Sequence, residues 1–386
     1  MILYDYIITG SGASGLSLLY KILNNKHLSK KNILVIDSSE KINNDRTWCF
    51  WENQASDFES IVFCKWNNIK MNGTLSENNY NILPYQYKMI RGIDFYEFVL
   101  NYCKSFQNIS FLKANVLKIE NLENKAIVTT SDAVYSATYV FNSIVFNTAS
   151  HITSNSLLQH FKGIEIETEE NNFESDIATF MDFNIPQTHG HSFVYVLPIN
   201  EKRALVEYTV FSKSTITDDE YNSGLVDYIK NNLQLNHYKI IHEEKGVIPM
   251  TDYVFPLHNK NIINIGTAAG WVKASSGFAF SNIQKRTKQI VSLLAANKSP
   301  IIKRSFNDKK FHFYDSVLLE VLSKNKLTAE KIFTTIFKKN PSERILRFLN
   351  NETSVWEDLK IMSSVPTSVF LPTAFKKIIQ HIFTKS

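Results

Sequence analysis

Tyr4-Asp-Tyr-Ile-Ile-Thr-Gly-Ser-Gly-Ala-Ser-Gly15 decides the fold. An apolar run enters a glycine-rich turn, and the Leu16–Leu23 stretch behind it predicts a helix. Gly10, Gly12 and Gly15, with Ser11 and Ala13 between them, fill a G-x-G-x-x-G pattern. One glycine of such a pattern makes a tight turn, one lets backbone approach a pyrophosphate, and one lets the helix pack closely on the strand. The first amides of the helix then face the phosphates. A second apolar stretch, Lys31-Asn-Ile-Leu-Val-Ile-Asp37, ends on an acid 22 residues after Gly15. That is where a ribose hydroxyl needs an acceptor. Strand, turn, helix, strand and acid agree on a nucleotide-binding unit, against the plainer reading of chance glycines.

The 386 residues suffice for about two domains. Hydrophobic content of 44% and charged content of 20% describe a globular chain. Cys49, Cys64 and Cys103 have neither metal-ligand nor C-x-x-C spacing, and no signal peptide opens the sequence. They read as free thiols in a reducing cytoplasm, with no metal expected. No apolar run reaches the 18 residues of a spanning helix. The net charge of +5 is uneven, because residues 301–386 hold 15 Lys/Arg against 8 Asp/Glu. A basic tail on a near-neutral body fits an anionic membrane surface or simple solubility. Nucleic acid is not expected, since no recognition signature is present.

Further along, Asn43-Asn-Asp-Arg-Thr-Trp-Cys-Phe-Trp-Glu52 reads as a loop beside the nucleotide, with Arg46 toward the cofactor. Arg91 stands between a strand-like stretch and an amphipathic helix; phosphate contact and plain surface charge are equally open to it. Ile109–Ile119, which includes the cofactor candidate Val116, then Ala126–Thr130 and Ala133–Asn142 alternate as strands. Gly163–Thr168, Ala178–Phe183, Ser192–Ile199 and Arg203–Phe211 predict an antiparallel sheet with a hairpin at Asn200–Arg203. In Arg203–Phe211 both faces are largely apolar, so Glu207 is a carboxylate in a strand that reads as buried. Burial raises a carboxyl pKa and makes it a usable acid near neutrality; a solvent-facing edge glutamate is the plainer alternative. Asn261–Phe280 ends a strand at Gly266 and continues through small residues to Gly277, where a helix is expected. This is a second backbone-lined approach to a cofactor, through Gly266, Thr267 and Gly277. No second G-x-G-x-x-G exists, so any NAD(P)H would visit without a domain of its own. From Asn307 on, the pattern predicts basic amphipathic helices.

At Asn44-Asp-Arg-Thr-Trp-Cys-Phe-Trp-Glu52, Met181-Asp-Phe183, Phe193-Val-Tyr-Val-Leu-Pro198, Val206-Glu-Tyr-Thr209 and Gly266–Phe278, the chain resembles the lycopene cyclases of bacterial carotenoid pathways. The resemblance runs in order over nearly the whole length. It implies an FAD enzyme, active in the reduced form, that turns the ψ-ends of lycopene into β-ionone rings. NAD(P)H would serve only as a transient reductant. Lycopene and related carotenoids become the expected substrates, and a bilayer-borne hydrocarbon gives a basic tail a purpose at the inner face of the cell membrane. Two departures stand out. Gly266-Thr267 replaces the Gly-Asp of many flavoproteins, and Val206–Thr209 is less acidic than the family's catalytic segment, leaving Glu207 alone as its acid. The alternative is a flavin-dependent reductase or hydroxylase of the same fold.

The expected architecture is α/β, a two-dinucleotide-binding-domain FAD fold (Rossmann-like) with an antiparallel substrate sheet and a helical C-terminal region. The expected partition is 1–75, 86–160 and 250–300 for the FAD part, 76–85 and 161–249 for the substrate part, and 301–386 for the helices.

Overall fold

The computed structural model describes residues 3–74, 76–146 and 151–383. Leu3–Thr9 is the central strand of the first sheet because Ile7 and Ile8 are apolar on both faces, as a parallel strand covered on both sides requires. Val134–Asn142 and Ile33–Asp37 flank it in parallel, and Ile262–Asn264 and Ile109–Lys113 extend the parallel set. Val116–Leu122 and Lys125–Thr130 form a meander that joins this sheet antiparallel through Val134–Asn142. The chain therefore leaves the sheet after Asn142 and returns to it at His258, whose short strand pairs antiparallel with Ile262–Asn264. The helix Ala13–Leu23 packs beside the helix Phe280–Ala295, where Gln284 donates to Ser17 Oγ at 2.9 Å.

The second sheet has seven strands, ordered Lys239–Met250, Leu157–Glu167, Arg203–Ser212, His191–Pro198, Ile177–Asp182, Asn68–Gly73 and Ser76–Asn81. All its pairs are antiparallel except Ile177–Asp182 with Asn68–Gly73. Asn68–Gly73 thus sits in this sheet, although it falls inside the 1–75 segment assigned to the cofactor part. The alternation in Arg203–Ser212 splits its apolar residues between two cores: Val206, Tyr208 and Val210 pack against the helix Asp218–Asn231, while Leu205 and Phe211 join the large aromatic core on the other face.

Thr47–Glu52 is a strand, not the expected loop, and pairs with Gln86–Arg91 beside Cys64–Trp66. Aromatic residues fit a pleated, half-buried surface. Here Phe50 enters one core and Trp51 another, with Trp51 Nε1 donating to the Leu346 carbonyl at 3.0 Å. The helices Phe306–Ser323, Ala329–Lys339, Ser342–Leu349, Val355–Met362 and Thr367–Phe383 close the chain. Capping boxes at Ser305 and Ser354 start two of them. Val355–Met362 was not foreseen, and the helix expected from Gly277 begins at Phe280.

Candidate active site

The glycine turn is built as its sequence requires. Gly10 holds φ +92, open to glycine without strain, and a Cβ on Gly15 would stand 2.0 Å from the Gly10 carbonyl oxygen. Around Gly12 no atom lies within 4 Å of a Cβ position. The helix behind it has Gly12 as its N-cap, no side-chain cap and no acid in its first turn. Its leading amides are therefore available to an anion. Asp37 accepts from the Ser11 amide at 2.6 Å and the Ser39 amide at 2.8 Å, so the acid also braces the turn. Burial pushes its carboxyl upward, but those amides and nearby Lys41 hold it below the usual carboxylate range. The return segment meets the turn: a Cβ on Gly266 would stand 2.4 Å from Ser14 Oγ.

A cavity of about 450 Å³ runs from this turn between the two sheets. Gly12, Ala13, Arg46, Thr267, Gly277 and Glu207 all line it. Gly10, Ser11, Gly15, Asp37 and Gly266 form the turns behind that wall. Val116 does not line it; it follows the strand whose Lys113 lies opposite Asp37, with the Ala114 amide donating to the Asp37 carbonyl at 2.9 Å. Arg91 is not brought to the cavity wall. It pairs with Asp94 at 2.6 Å, and its guanidinium lies 4.0 Å from the Phe63 ring centre. Two polar atoms buried in the cavity wall, Gln159 Oε1 and Ser276 Oγ, have no protein partner. Orphaned groups of this kind, an uncapped helix and open space at Gly12 fit a large polar cofactor with a pyrophosphate.

At the far end the strands Arg203–Ser212, Leu157–Glu167 and Lys239–Met250 run side by side, and Gly163 lies opposite both Glu207 and Glu244. Both carboxylates line the cavity. Thr209 Oγ1 donates to Glu207 at 2.7 Å, and Thr47 Oγ1 donates to Glu244 at 2.6 Å. Neither carboxylate forms an ion pair among the described residues. Burial, then the Glu244 charge, push the Glu207 carboxyl up to about 8 against the Thr209 hydrogen bond. Burial likewise raises Glu244, opposed by Thr47, His242 and Arg46. Sequence reading missed Glu244 because His242-Glu-Glu-Lys245 looks like a solvated charge run. The signal available was period-2 alternation, which places Glu244 and Gly246 on the same face as Ile248. Aromatic walls complete the site: Phe278 stacks on Phe180 at an interplanar angle of 1° and meets Trp51 edge-on, and Tyr195 lies opposite Glu207 on the next strand.

Among the described residues no group of three or more His, Cys, Asp or Glu is placed to hold a metal ion. The family model described as "Lycopene cyclase protein" matches residues 5–374. Comparison with curated proteins returns no match. Among solved structures, a geranylgeranyl bacteriochlorophyll reductase-like protein from Thermoplasma acidophilum is similar over 98% of this chain and 99% of its own, at 14% identity and TM-score 0.67. A flavoprotein/dehydrogenase from Cytophaga hutchinsonii is similar over 98% and 99%, at 12% identity and TM-score 0.63. The flavin-dependent brominase Bmp2 is similar over 100% of both chains, at 11% identity and TM-score 0.58. These likenesses establish the flavoenzyme-type fold.

Proposed function

The chain belongs to the lycopene cyclase family, and on that premise we propose that it is a lycopene β-cyclase, an isomerase that makes γ-carotene and then β-carotene. The observation that carries the reading is Glu207. It lines the cavity at the end remote from the glycine turn, in a setting that keeps its proton near neutral pH. The Gly10–Gly15 turn, Asp37, Arg46, Val116, Thr267 and Gly277 would hold FAD, with its pyrophosphate at the uncapped helix. When bound and kept reduced by a visiting NAD(P)H, FAD would supply negative charge that stabilises a cation.

The residues then act in sequence. Glu207 donates its proton to C2 of the terminal double bond, leaving positive charge at C1. The 5,6 double bond closes the ring onto C1 and moves the charge to C5. Loss of the C6 proton sets the β-ring, so atoms and electrons balance with no net redox change. The aromatic walls exclude water and contribute about 1–2 kcal/mol per cation–π contact.

The carotenoid is drawn from a membrane surface at the inner face of the cell membrane, and the terminal helices support a peripheral seat. Trp356 and Phe375 are 78% and 63% exposed there. No helix of the described residues is long and apolar enough to cross a membrane. Several tail lysines are spent internally, such as Lys377 on Asp252 and Lys376 on Glu320. The surface attraction is therefore weaker than the sequence charge implies. Expression in lycopene-producing bacteria tests the reading: β-carotene is expected, and unchanged lycopene overturns it. Stoichiometric NAD(P)H use with a saturated or hydroxylated product would instead assign an oxidoreductase, the activity class of several structural neighbours.

A further inference from the structure

We infer that Glu244 is a second catalytic residue: its carboxylate removes the C6 proton that fixes the β-ring, and Gly163 holds it near enough to Glu207 to hand that proton back. The inference rests on the cyclase reading. It follows from three strands in register. Glu207, Gly163 and Glu244 form one cross-strand row, with no side chain between the two acids. A Cβ on Gly163 would meet Glu244 Cγ at 3.2 Å and Glu207 Cβ at 3.5 Å. The Glu244 charge raises the Glu207 carboxyl, so the two acids titrate as an interacting pair.

The other charged and titratable groups around the pair do not replace either partner. Glu165, on the Gly163 strand, is paired with Arg203. Cys49, Tyr87 and Tyr195 are raised by burial and stay neutral. At Glu244 burial and the Glu165 charge are opposed by the Thr47 hydrogen bond, His242 and Arg46, whereas at Glu207 burial and the Glu244 charge are opposed by the Thr209 hydrogen bond, so the cycle takes Glu244 as the base and Glu207 as the acid. Thr47 Oγ1 donates to Glu244 Oε2, and among the described residues no side chain donates to Oε1.

The proton cycle closes without a co-reactant. Glu207 gives a proton to C2, and the ring C1–C6 bond forms. Glu244 takes the proton from C6 as the C5–C6 double bond forms. Glu244 is then the acid and Glu207 the anion, and proton return across Gly163 restores the start. Ring type is thereby a property of base position: loss from C6 gives the β-ring, from C4 the ε-ring, and from the C5 methyl an exocyclic double bond.

The test uses the full-length FAD-loaded protein as wild type, Glu244→Gln, Glu244→Asp and Glu207→Gln. Infrared titration of the protonated carboxyl band, without substrate, is expected to show loss through about pH 8 in the wild type. A lower midpoint is expected in Glu244→Gln, which removes the neighbouring charge. On lycopene, Glu244→Gln is expected to slow turnover about 10²–10³-fold and shift product toward ε or exocyclic rings. Glu244→Asp is expected to keep the β-ring at a reduced kcat. Glu244→Gln making β-rings at the wild-type rate overturns the proposal, as does an unmoved carboxyl midpoint. FAD loss from both Glu244 variants assigns a structural role and also overturns it. A wild type inert to lycopene fails the cyclase reading and the base role with it. The band titration still decides whether the two acids share a proton, so the two failures are distinguishable.

Discussion

Two regions of this chain bury carboxylates in opposite ways. Between the sheets, Glu207 and Glu244 flank Gly163 and face a cavity, each held by a threonine hydroxyl. Among the C-terminal helices every buried acid meets lysine. Asp358 pairs with Lys310 at 2.6 Å, Asp315 with Lys273 at 3.0 Å, and Glu320 with Lys324, Lys326 and Lys376 at 3.0, 3.3 and 3.2 Å. Burial without a cation favours the protonated acid; burial with one favours the anion. Glu207 is accordingly raised to about 8, whereas Glu320, despite its burial, is held down at about 2 by its lysines. The first arrangement stores a proton for chemistry, and the second holds helices together.

The contrast breaks most sharply at Glu207. Glu207→Gln is expected to lower cyclisation about 10³-fold or more while FAD absorbance persists. The same change removes a buried group that must be neutral, so the melting temperature at pH 9 is expected to rise; a fall there would mean that Glu207 is a structural anion. Asp358→Ala is expected to do the reverse. It strands the Lys310 ammonium, with Asp358 itself 0% exposed. Breaking such a pair costs about 3–5 kcal/mol, which denaturant titration reads, while turnover per folded molecule stays near wild type.

The pH dependence sharpens the comparison further. Glu207 is active when protonated, so activity is expected below about pH 8 and lost as pH rises through that value. Its folded-state pKa is raised, the folded state binds the extra proton, and its contribution to stability falls as pH climbs from the ordinary glutamate range to about 8. Glu320 has the opposite sign. Its folded-state pKa is lowered to about 2, so its contribution is full above the ordinary range and vanishes as pH falls toward 2. The smallest effect is expected at Trp356, 78% exposed. Trp356→Ser is expected to weaken binding to anionic vesicles severalfold in a flotation assay, with the melting temperature unchanged.

Much of this was legible in the residues. The Gly10–Gly15 turn and its acid announced themselves because local spacing fixes them, and Glu207 stood out as a charge inside an apolar strand. Glu244 did not, since its meaning comes from pairing opposite Gly163, a residue 81 positions earlier, and its own neighbours are charged. Thr47–Glu52 misled for a related reason. Its polar lead-in suggested a loop, but the pairing that makes it a strand comes from Gln86–Arg91. Arg91 was open between two roles, and Asp94, one helical turn away, took it. Among the helices, longer apolar faces were readable, while Val355–Met362 exposes Val355, Trp356 and Leu359 and buries Asp358, so its apolar residues mark no core-facing stripe.

Anaerobic turnover in heavy water tests the central claim most directly. Purified protein equilibrated in heavy water, in excess over lycopene, with photoreduced FAD and no NAD(P)H, is expected to place one deuterium at C2 of the first ring each molecule forms, while Glu207→Gln gives none. First-turnover rings formed without deuterium, or rings formed only as NAD(P)H is consumed in proportion, would contradict proton donation by Glu207 in a redox-neutral cyclisation.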